Sequence, residues 1–180
     1  TVRRIPVEEM RNDSFDVLDL PEILAGREGA MLIACIVPIM ATLTSVNVGW
    51  NRIGKAAALE LVEIFKQKEM VSVGLAACDL GPDGAVAVAD YVRGSSTLTT
   101  LDLTDNDLRP EGAKTLAPAI AASSTLTSLN LGYNKLGVEG AEALAPAIAA
   151  SSTLTSLKLG ANNLGNEGAK ALAPAIAASS

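Results

Sequence analysis

The chain of 180 residues contains 14 Lys and Arg against 20 Asp and Glu, which gives a formal net charge of −6. This acidic balance argues against a nucleic-acid-binding protein, because such proteins usually carry a basic stripe. The chain has no histidine, which removes the commonest general base and metal ligand. Nearly half of the residues are apolar but only 3% are aromatic, so the core must be built from Leu, Ala, Val and Ile.

We expect neither a signal peptide nor a membrane span in the first part of the chain. Residues 1–14 contain Arg3 and Arg4 but no apolar run, so they do not resemble a signal peptide. We treat them as an N-terminal extension. The most apolar segment, residues 29–43, is fifteen residues long and contains Pro38. This is too short to span a membrane and predicts a buried helix instead.

The two cysteines lie in segments whose pattern predicts burial. Cys35 falls within the apolar segment and Cys78 within a later one. A free cysteine behaves as a small apolar residue, so we expect both to be unpaired core thiols. Unpaired thiols favour a reducing compartment, and we expect the protein to be cytoplasmic.

One pattern returns six times from residue 15 onward. The last two copies, residues 126–152 and 154–180, are LTSLNLGYNKLGVEGAEALAPAIAASS and LTSLKLGANNLGNEGAKALAPAIAASS, at an offset of 28 residues. A fixed period of this length indicates a solenoid. The repeats are residues 15–42, 43–69, 70–97, 98–125, 126–153 and 154–180. No linker divides them, so residues 15–180 are predicted to form one elongated domain. The first repeat keeps Phe15 but has Ile23 where the pattern has Asn.

Each repeat contains two halves with different periods. Leu129 and Leu131 alternate with polar residues, which predicts a short half-buried strand. Apolar residues at i, i+3, i+4 and i+7, from Ala141 to Ile148, predict a helix with one apolar stripe. Strand–helix–strand units give parallel strands and right-handed crossovers. Strands stack more closely than helices, so the solenoid should curve with the strands on its concave face and the helices on its convex face.

Three columns of residues recur between these elements. The first contains asparagines that we expect to satisfy main-chain groups of the turn, with Cys78 in the third repeat: Asn51, Asn106, Asn134 and Asn162. The second contains glycines that should let the helix start lie close to the strand layer: Gly29, Gly84, Gly112, Gly140 and Gly168. The third contains solvent-facing prolines at which a kink or a broken helix is expected: Pro118, Pro146 and Pro174.

The pattern LxxLxLxxNxLxxxGxxxLxxxI, repeated every 28 residues, resembles the leucine-rich repeat of the ribonuclease-inhibitor-like subclass. The resemblance covers residues 15–180 and implies an α/β horseshoe that binds other proteins through its concave sheet and adjacent loops. It implies no catalysis and no cofactor. The last repeat ends at Ser180 without a polar capping unit, which solenoids normally need. We therefore expect either a fragment of a longer protein or a last repeat that packs against another protein, including a second copy.

The concave columns supply the candidate partner-binding residues. The last two repeats differ at few positions, among them Asn130/Lys158 and Tyr133/Ala161 on the predicted inner face. Free variation of surface positions explains such differences as well as tuning for a partner does. Trp50 and Tyr133 are the large aromatic residues of this face, about 14 Å apart by strand spacing. Both are candidate binding hot spots. The alternative for Trp50 is that it folds over the neighbouring turn and shields it, and the alternative for Tyr133 is that it only fills the surface. The candidates are Asn47, Trp50, Asp102, Asp105, Asn130, Tyr133 and Lys158.

Two short segments resemble ligand-binding motifs without completing them. Residues 49–56, GWNRIGKA, are one residue short of a phosphate-binding loop, and Ala56 cannot ligate magnesium. Asp102, Asp105 and Asp107 resemble half of a calcium loop but lack its glycine and its terminal glutamate. The sequence therefore predicts neither a nucleotide site nor a metal site.

Three functions remain open at this point. The first is a non-catalytic scaffold that binds another protein through the concave face. The second is a structural subunit of a larger assembly, docked through the uncapped C-terminal end or the helical face. The third is regulation of a small GTPase, which rests on the repeat class alone.

Overall fold

A computed structural model of the chain describes residues 16–22 and 26–178. The predictions for residues 1–14, Phe15 and Ile23 lie outside the described residues. Strands and helices alternate from one end to the other. The strands are β1 Val17–Asp19, β2 Ser45–Asn47, β3 Ser72–Gly74, β4 Thr100–Asp102, β5 Ser128–Asn130 and β6 Ser156–Lys158. The helices are α1 Gly26–Ile36, α2 Gly54–Phe65, α3 Gly81–Gly94, α4 Arg109–Ala122, α5 Gly137–Ala150 and α6 Gly165–Ala178.

The six strands form one parallel sheet in chain order, which confirms the predicted βα solenoid. Leu101 of β4 pairs with Val73 of β3 and Leu129 of β5, and the central residue of each strand from β1 to β5 is buried against the helices, whereas that of β6 is half-buried. The residues on either side of it point to the opposite face of the sheet. The sheet therefore has an inner face that the helices leave uncovered.

The asparagine column joins consecutive repeats, as the sequence predicts. Asn134 is fully buried, and its Nδ2 donates to three carbonyl oxygens at 2.9–3.0 Å, two in its own repeat and that of Leu103 in the preceding one. Its Oδ1 accepts from the N–H groups of Asn106 and Leu108 at 3.0 and 3.3 Å. Because the repeats share one geometry, Asn106 and Asn162 make the same set of bonds. One side chain thus satisfies buried groups of two neighbouring turns.

The glycine column serves the contact between helices more than the contact with the sheet. A Cβ added at Gly140 would lie 2.8 Å from Cβ of Leu136 and 3.4 Å from Cβ of Ala113 on α4. A side chain here would therefore push the start of α5 away from its own turn and from the preceding helix. The expectation that these glycines let the helix start lie close to the strand layer is corrected accordingly, since none of the three atoms nearest to the added Cβ at Gly140 belongs to a strand.

The helix prolines are exposed, as expected, but they do not break the helices. Helix α4 continues through Pro118 to Ala122, and α5 continues through Pro146. Both prolines face solvent, and so do Glu63 and Asp90 in the same column. The helices are held by the buried stripe on their other side, which offsets the one hydrogen bond that each proline removes.

The apolar segment at residues 29–43 is less buried than its sequence predicts. Helix α1 ends at Ile36, and a short 3-10 turn follows at Val37–Ile39. Met31, Leu32 and Cys35 are exposed, so the prediction that Cys35 is a core thiol is wrong. The physical reason is that α1 belongs to the first repeat: within the described part of the chain it contacts the 3-10 turn that follows it and, on one side, helix α2. Cys78 is buried, as predicted.

The junction between the second and third repeats lacks part of the hydrogen-bond pattern that the asparagine column makes at the other junctions. Cys78 occupies the asparagine column, and its Sγ lies 3.5 Å from the carbonyl oxygen of Ala76. A thiol has no carbonyl oxygen with which to accept the bonds that asparagine accepts. The side-chain oxygen of Asn106 accepts the N–H groups of Cys78 and Leu80 at 3.1 and 3.2 Å, whereas within the described residues the N–H of Ile53, which corresponds to that of Leu80, makes no such bond to Cys78. This junction therefore lacks the amide acceptor that joins the later repeats, and the Cys78 thiol contacts the preceding turn through Sγ at 3.9 Å from the carbonyl oxygen of Val48.

Placing asparagine at Cys78 and cysteine at Asn106 should change the free energy of unfolding in opposite directions. Cys78→Asn should raise the free energy of unfolding by about 1 kcal/mol, because it supplies an acceptor for the N–H of Ile53. Asn106→Cys should lower it by about 2–4 kcal/mol, because buried main-chain groups lose their partners. Urea unfolding followed by circular dichroism measures both. Changes of the same sign would mean that the column does not carry the stability assigned to it.

The two thiols should differ in reactivity. Burial raises the pKa of the Cys78 thiol to about 12, so at mildly alkaline pH it stays protonated, and the thiolate is the reactive form. A thiol reagent should label one of the two cysteines in the folded protein and both in concentrated guanidinium chloride. Cys35→Ser should abolish the fast labelling. Fast labelling that survives this substitution would contradict the burial of Cys78.

Candidate functional site

Every candidate residue lies on the inner face or along the loops that follow its strands. The register places Asn47, Asp102, Asn130 and Lys158 in one column at the end of β2, β4, β5 and β6. The second column lies three residues further along, and each of its N–H groups donates to a carbonyl of the next repeat. These bonds join Trp50 to Ala76 at 2.7 Å, Ala77 to Thr104 at 2.8 Å, Asp105 to Gly132 at 3.0 Å and Tyr133 to Gly160 at 2.9 Å.

The polar side chains of the first column have a local structural role that the sequence analysis missed. Asn47 Oδ1 accepts the N–H of Gly49 at 3.0 Å, and Asn130 Oδ1 accepts that of Gly132 at 3.1 Å. Asp102 Oδ1 accepts the N–H of Thr104 at 2.9 Å. These are Asx turns, which bend the chain at the strand end. The signal was present in the sequence as Asn or Asp two residues before Gly or Thr. Three of the seven candidates are thus explained partly by the turn.

The second column has an unusual backbone conformation in every repeat. Trp50, Ala77, Asp105, Tyr133 and Ala161 all have positive φ, between 51° and 61°. Asp tolerates this left-handed region, whereas large aromatic residues are disfavoured in it. Trp50 and Tyr133 are 47% and 63% exposed, so they add little to the core. Neither the turn nor the core requires an aromatic residue at these two positions.

A small group of charges lies beside this column on the loop rim. Arg109 and Lys135 contact the Asp107 carboxylate at 2.7 and 2.8 Å. The Arg109 guanidinium, and after it the Lys135 ammonium, hold the pKa of the Asp107 carboxyl below its ordinary value. The group therefore favours the folded state above the pKa of the unfolded chain, and this contribution is lost as pH falls through the folded-state pKa. These two cations and one carboxylate leave one net positive charge on the rim, and none of the three residues was among the sequence candidates.

The two motif-like segments are explained by the repeat geometry. Residues 49–56 contain the end of one turn and the start of α2, which begins at Gly54. Asp107 is ion-paired, Asp102 caps a turn, and Asp105 is exposed. Within residues 16–22 and 26–178, no group of three or more His, Cys, Asp or Glu side chains is placed to hold a metal ion. No helix among the same residues has the length and apolar character needed to cross a membrane.

The helical side carries one apolar groove between α4 and α5. It has a volume of about 370 Å³ and is lined mainly by alanine together with Pro118 and Pro146. A polar cavity of about 310 Å³ lies at the helix C-terminal edge, where Tyr91 and Lys66 are among its lining residues. Burial raises the pKa of Tyr91. Neither place contains a residue that the sequence analysis selected as a candidate for partner binding.

Comparison with known proteins gives a family and a fold. The family model described as Leucine Rich repeat matches residues 40–62, 94–117, 122–145 and 150–173, which is more than half of the chain. A comparison with curated protein sequences found no significant match. Solved structures that match include leiomodin-1 actin-binding site 2, with 18% identity, a TM-score of 0.66, and coverage of 97% of this chain and 87% of that one. At this identity the likeness concerns the fold.

Backbone strain at Arg109 should be measurable. Arg109 has φ of +59° at the first position of α4, where α2, α3, α5 and α6 begin with glycine. Arg109→Gly and Arg109→Ala both remove the ion pair, but only glycine relieves the left-handed strain. The glycine variant should therefore be more stable than the alanine variant by about 1 kcal/mol. Thermal unfolding of the two variants tests this, and equal stability would mean that the turn is unstrained.

Proposed function

Because the chain belongs to the leucine-rich-repeat family, we propose that it is a non-catalytic scaffold that binds another protein through its concave sheet and the adjacent loops. Repeat proteins of this kind use an extended curved surface for binding. The observation that carries the proposal is the pair Trp50 and Tyr133, which are exposed at positions where the backbone disfavours large side chains. Exposed Trp and Tyr are the residue types most often found as binding hot spots.

The placement of the candidates supports one continuous surface. The N–H bonds of the second column form a ladder in which each repeat contributes one rung. Trp50 and Tyr133 belong to this ladder, with Ala77 and Asp105 on the two rungs between them. Because their φ values are nearly the same, their side chains leave the backbone in nearly parallel directions. Asn47, Asp102 and Asn130 form the neighbouring column, and Lys158 marks its end at β6. A partner lying across the strands would meet all of these residues.

A second candidate function is a structural subunit that docks through its last repeat. Leu157, Leu159 and Leu164 are partly exposed, whereas Leu129, Leu131 and Leu136 in the preceding repeat are buried. A face of this kind accepts either a further solenoid unit or another protein, and self-association is one form of it. Two free cysteines support our further proposal of a reducing, cytoplasmic location.

Replacing the two aromatic residues should abolish binding without unfolding the protein. We expect Trp50→Ala combined with Tyr133→Asn to lose the partner recovered from the native source, because the hot-spot pair is removed. Stability should stay within about 0.5 kcal/mol, since both side chains are exposed and Asn tolerates positive φ. The matched control is Val86→Ala, which shortens an exposed apolar side chain on α3 and should retain the partner.

Deletion of residues 154–180 separates the two candidate functions. If the aromatic variants retain the partner and the deletion loses it, docking through the end replaces concave recognition. Sedimentation of the intact chain over a range of concentrations tests whether the chain associates with itself through the last repeat. Growth of the particle with concentration, suppressed by Leu159→Asp, would indicate self-association through the last repeat.

A further inference from the structure

We propose that the partner presents a lysine or arginine side chain to the concave face, and that Asp105 receives this cation beside the ring of Tyr133. The inference rests on the proposed function and specifies its partner as a basic segment that crosses the strands. Three independent observations carry it: the charge balance of the inner face, the free carboxylate of Asp105, and the position of Tyr133 next to it.

The inner face is acidic where the aromatic residues lie. In each repeat four residues face inward: the first and third residues of the strand, and the second and third residues after the strand. Their charged members among the described residues are four carboxylates and one ammonium group: Asp19, Glu22, Asp102, Asp105 and Lys158. The ammonium group lies on β6, at the far end. Asp102 and Asp105 occupy the same repeat, between the rungs of Trp50 and Tyr133. Complementary charge at this place selects a basic partner.

Asp105 differs from Asp102 and Asp107 of the same repeat because its carboxylate is unused. Asp107 is held by two cations, and Oδ1 of Asp102 accepts two hydrogen bonds from Thr104, at 2.9 Å from its N–H and 2.5 Å from its hydroxyl. The Asp105 side chain is exposed and, within the described residues, makes no hydrogen bond or ion pair. Its N–H bond to Gly132 and its φ of +55° fix the direction of its Cα–Cβ bond. A partner cation would meet a carboxylate whose use breaks no existing contact.

Tyr133 is placed to contact the same cation. Its N–H makes the next bond of the ladder, and its φ of +58° matches that of Asp105. The two side chains therefore start about 4.8 Å apart and run nearly parallel. An ammonium or guanidinium group bound to the carboxylate would lie within about 6 Å of the ring, which is the range of a cation–π contact. A single basic side chain can thus contact the Asp105 carboxylate and the Tyr133 ring together.

Trp50 adds a spacing requirement. It lies two rungs from Asp105, which is about 10 Å and is covered by about three residues of an extended chain. Ala77, on the rung between them, is half-buried and leaves the space between the two side chains open. The partner segment should therefore carry an apolar residue for Trp50 and a basic residue about three positions away.

Selection from a peptide library tests the inference. A displayed library of random peptides of about twelve residues, long enough to cross the six strands, is selected on the wild-type chain and on Asp105→Lys. We expect wild-type binders to be enriched in Lys or Arg, with an apolar residue about three positions away. Binders of the charge-reversed variant should carry Asp or Glu instead. No enrichment in basic residues, or the same enrichment on both targets, would overturn the proposal.

Affinity measurements on the best synthetic peptide complete the test. Asp105→Asn should weaken its binding by about tenfold, because one charge-assisted contact is lost, and should make the affinity less sensitive to salt. The control is Glu142→Gln, which removes an exposed carboxylate of α5 at a position where α6 has Lys170. An effect of Asp105→Asn below twofold refutes the cation site while leaving concave recognition intact. Binding that survives the aromatic double variant, or a library that yields no binder, refutes the proposed function itself.

Discussion

The contact on which the fold depends is the buried amide that joins one repeat to the next. Each asparagine of the column bonds main-chain groups of its own turn and of the preceding turn, so neither turn is satisfied alone. Parallel strands of three residues are too short to be stable by themselves. The amide and the leucines around it set the position of each strand against its neighbour. The inner face inherits its regular columns from this arrangement.

The sequence predicts the scaffold because the scaffold repeats. Six copies of one spacing identify the strands, the helices and the buried asparagines without reference to any tertiary contact. Cys35 is exposed against prediction because its exposure depends on what lies beside α1, which no local pattern records. The prolines were expected to kink or break the helices, because propensity describes an isolated helix. The helices continue through them because here the buried stripe outweighs propensity. The roles of Asn47 and Asn130 became visible only through their bonds to the turn.

Neighbouring residues of each turn serve either stability or recognition. The residue of the asparagine column satisfies the turn, and the residue one position before it is held in left-handed geometry with its side chain outside. Ala, Asp, Trp and Tyr all occupy that position, so the turn accepts very different side chains there. Recognition can therefore change between repeats without a change in the core. Asp105 and Tyr133 show the outcome, since two unlike groups are presented in the same direction on adjacent rungs.

The thiol at Cys78 also has a mechanical consequence. In a linear array each unit is held only by its neighbours, so tension is carried through every junction in series. The junction at Cys78 lacks the amide bridge, and α2 and α3 pack less closely there than the alanine-rich helices that follow. When the two ends are pulled apart, rupture should begin at this joint and separate the first two repeats from the last four. The four-repeat segment, in which the amide bridge recurs at each junction, would then yield at a higher force.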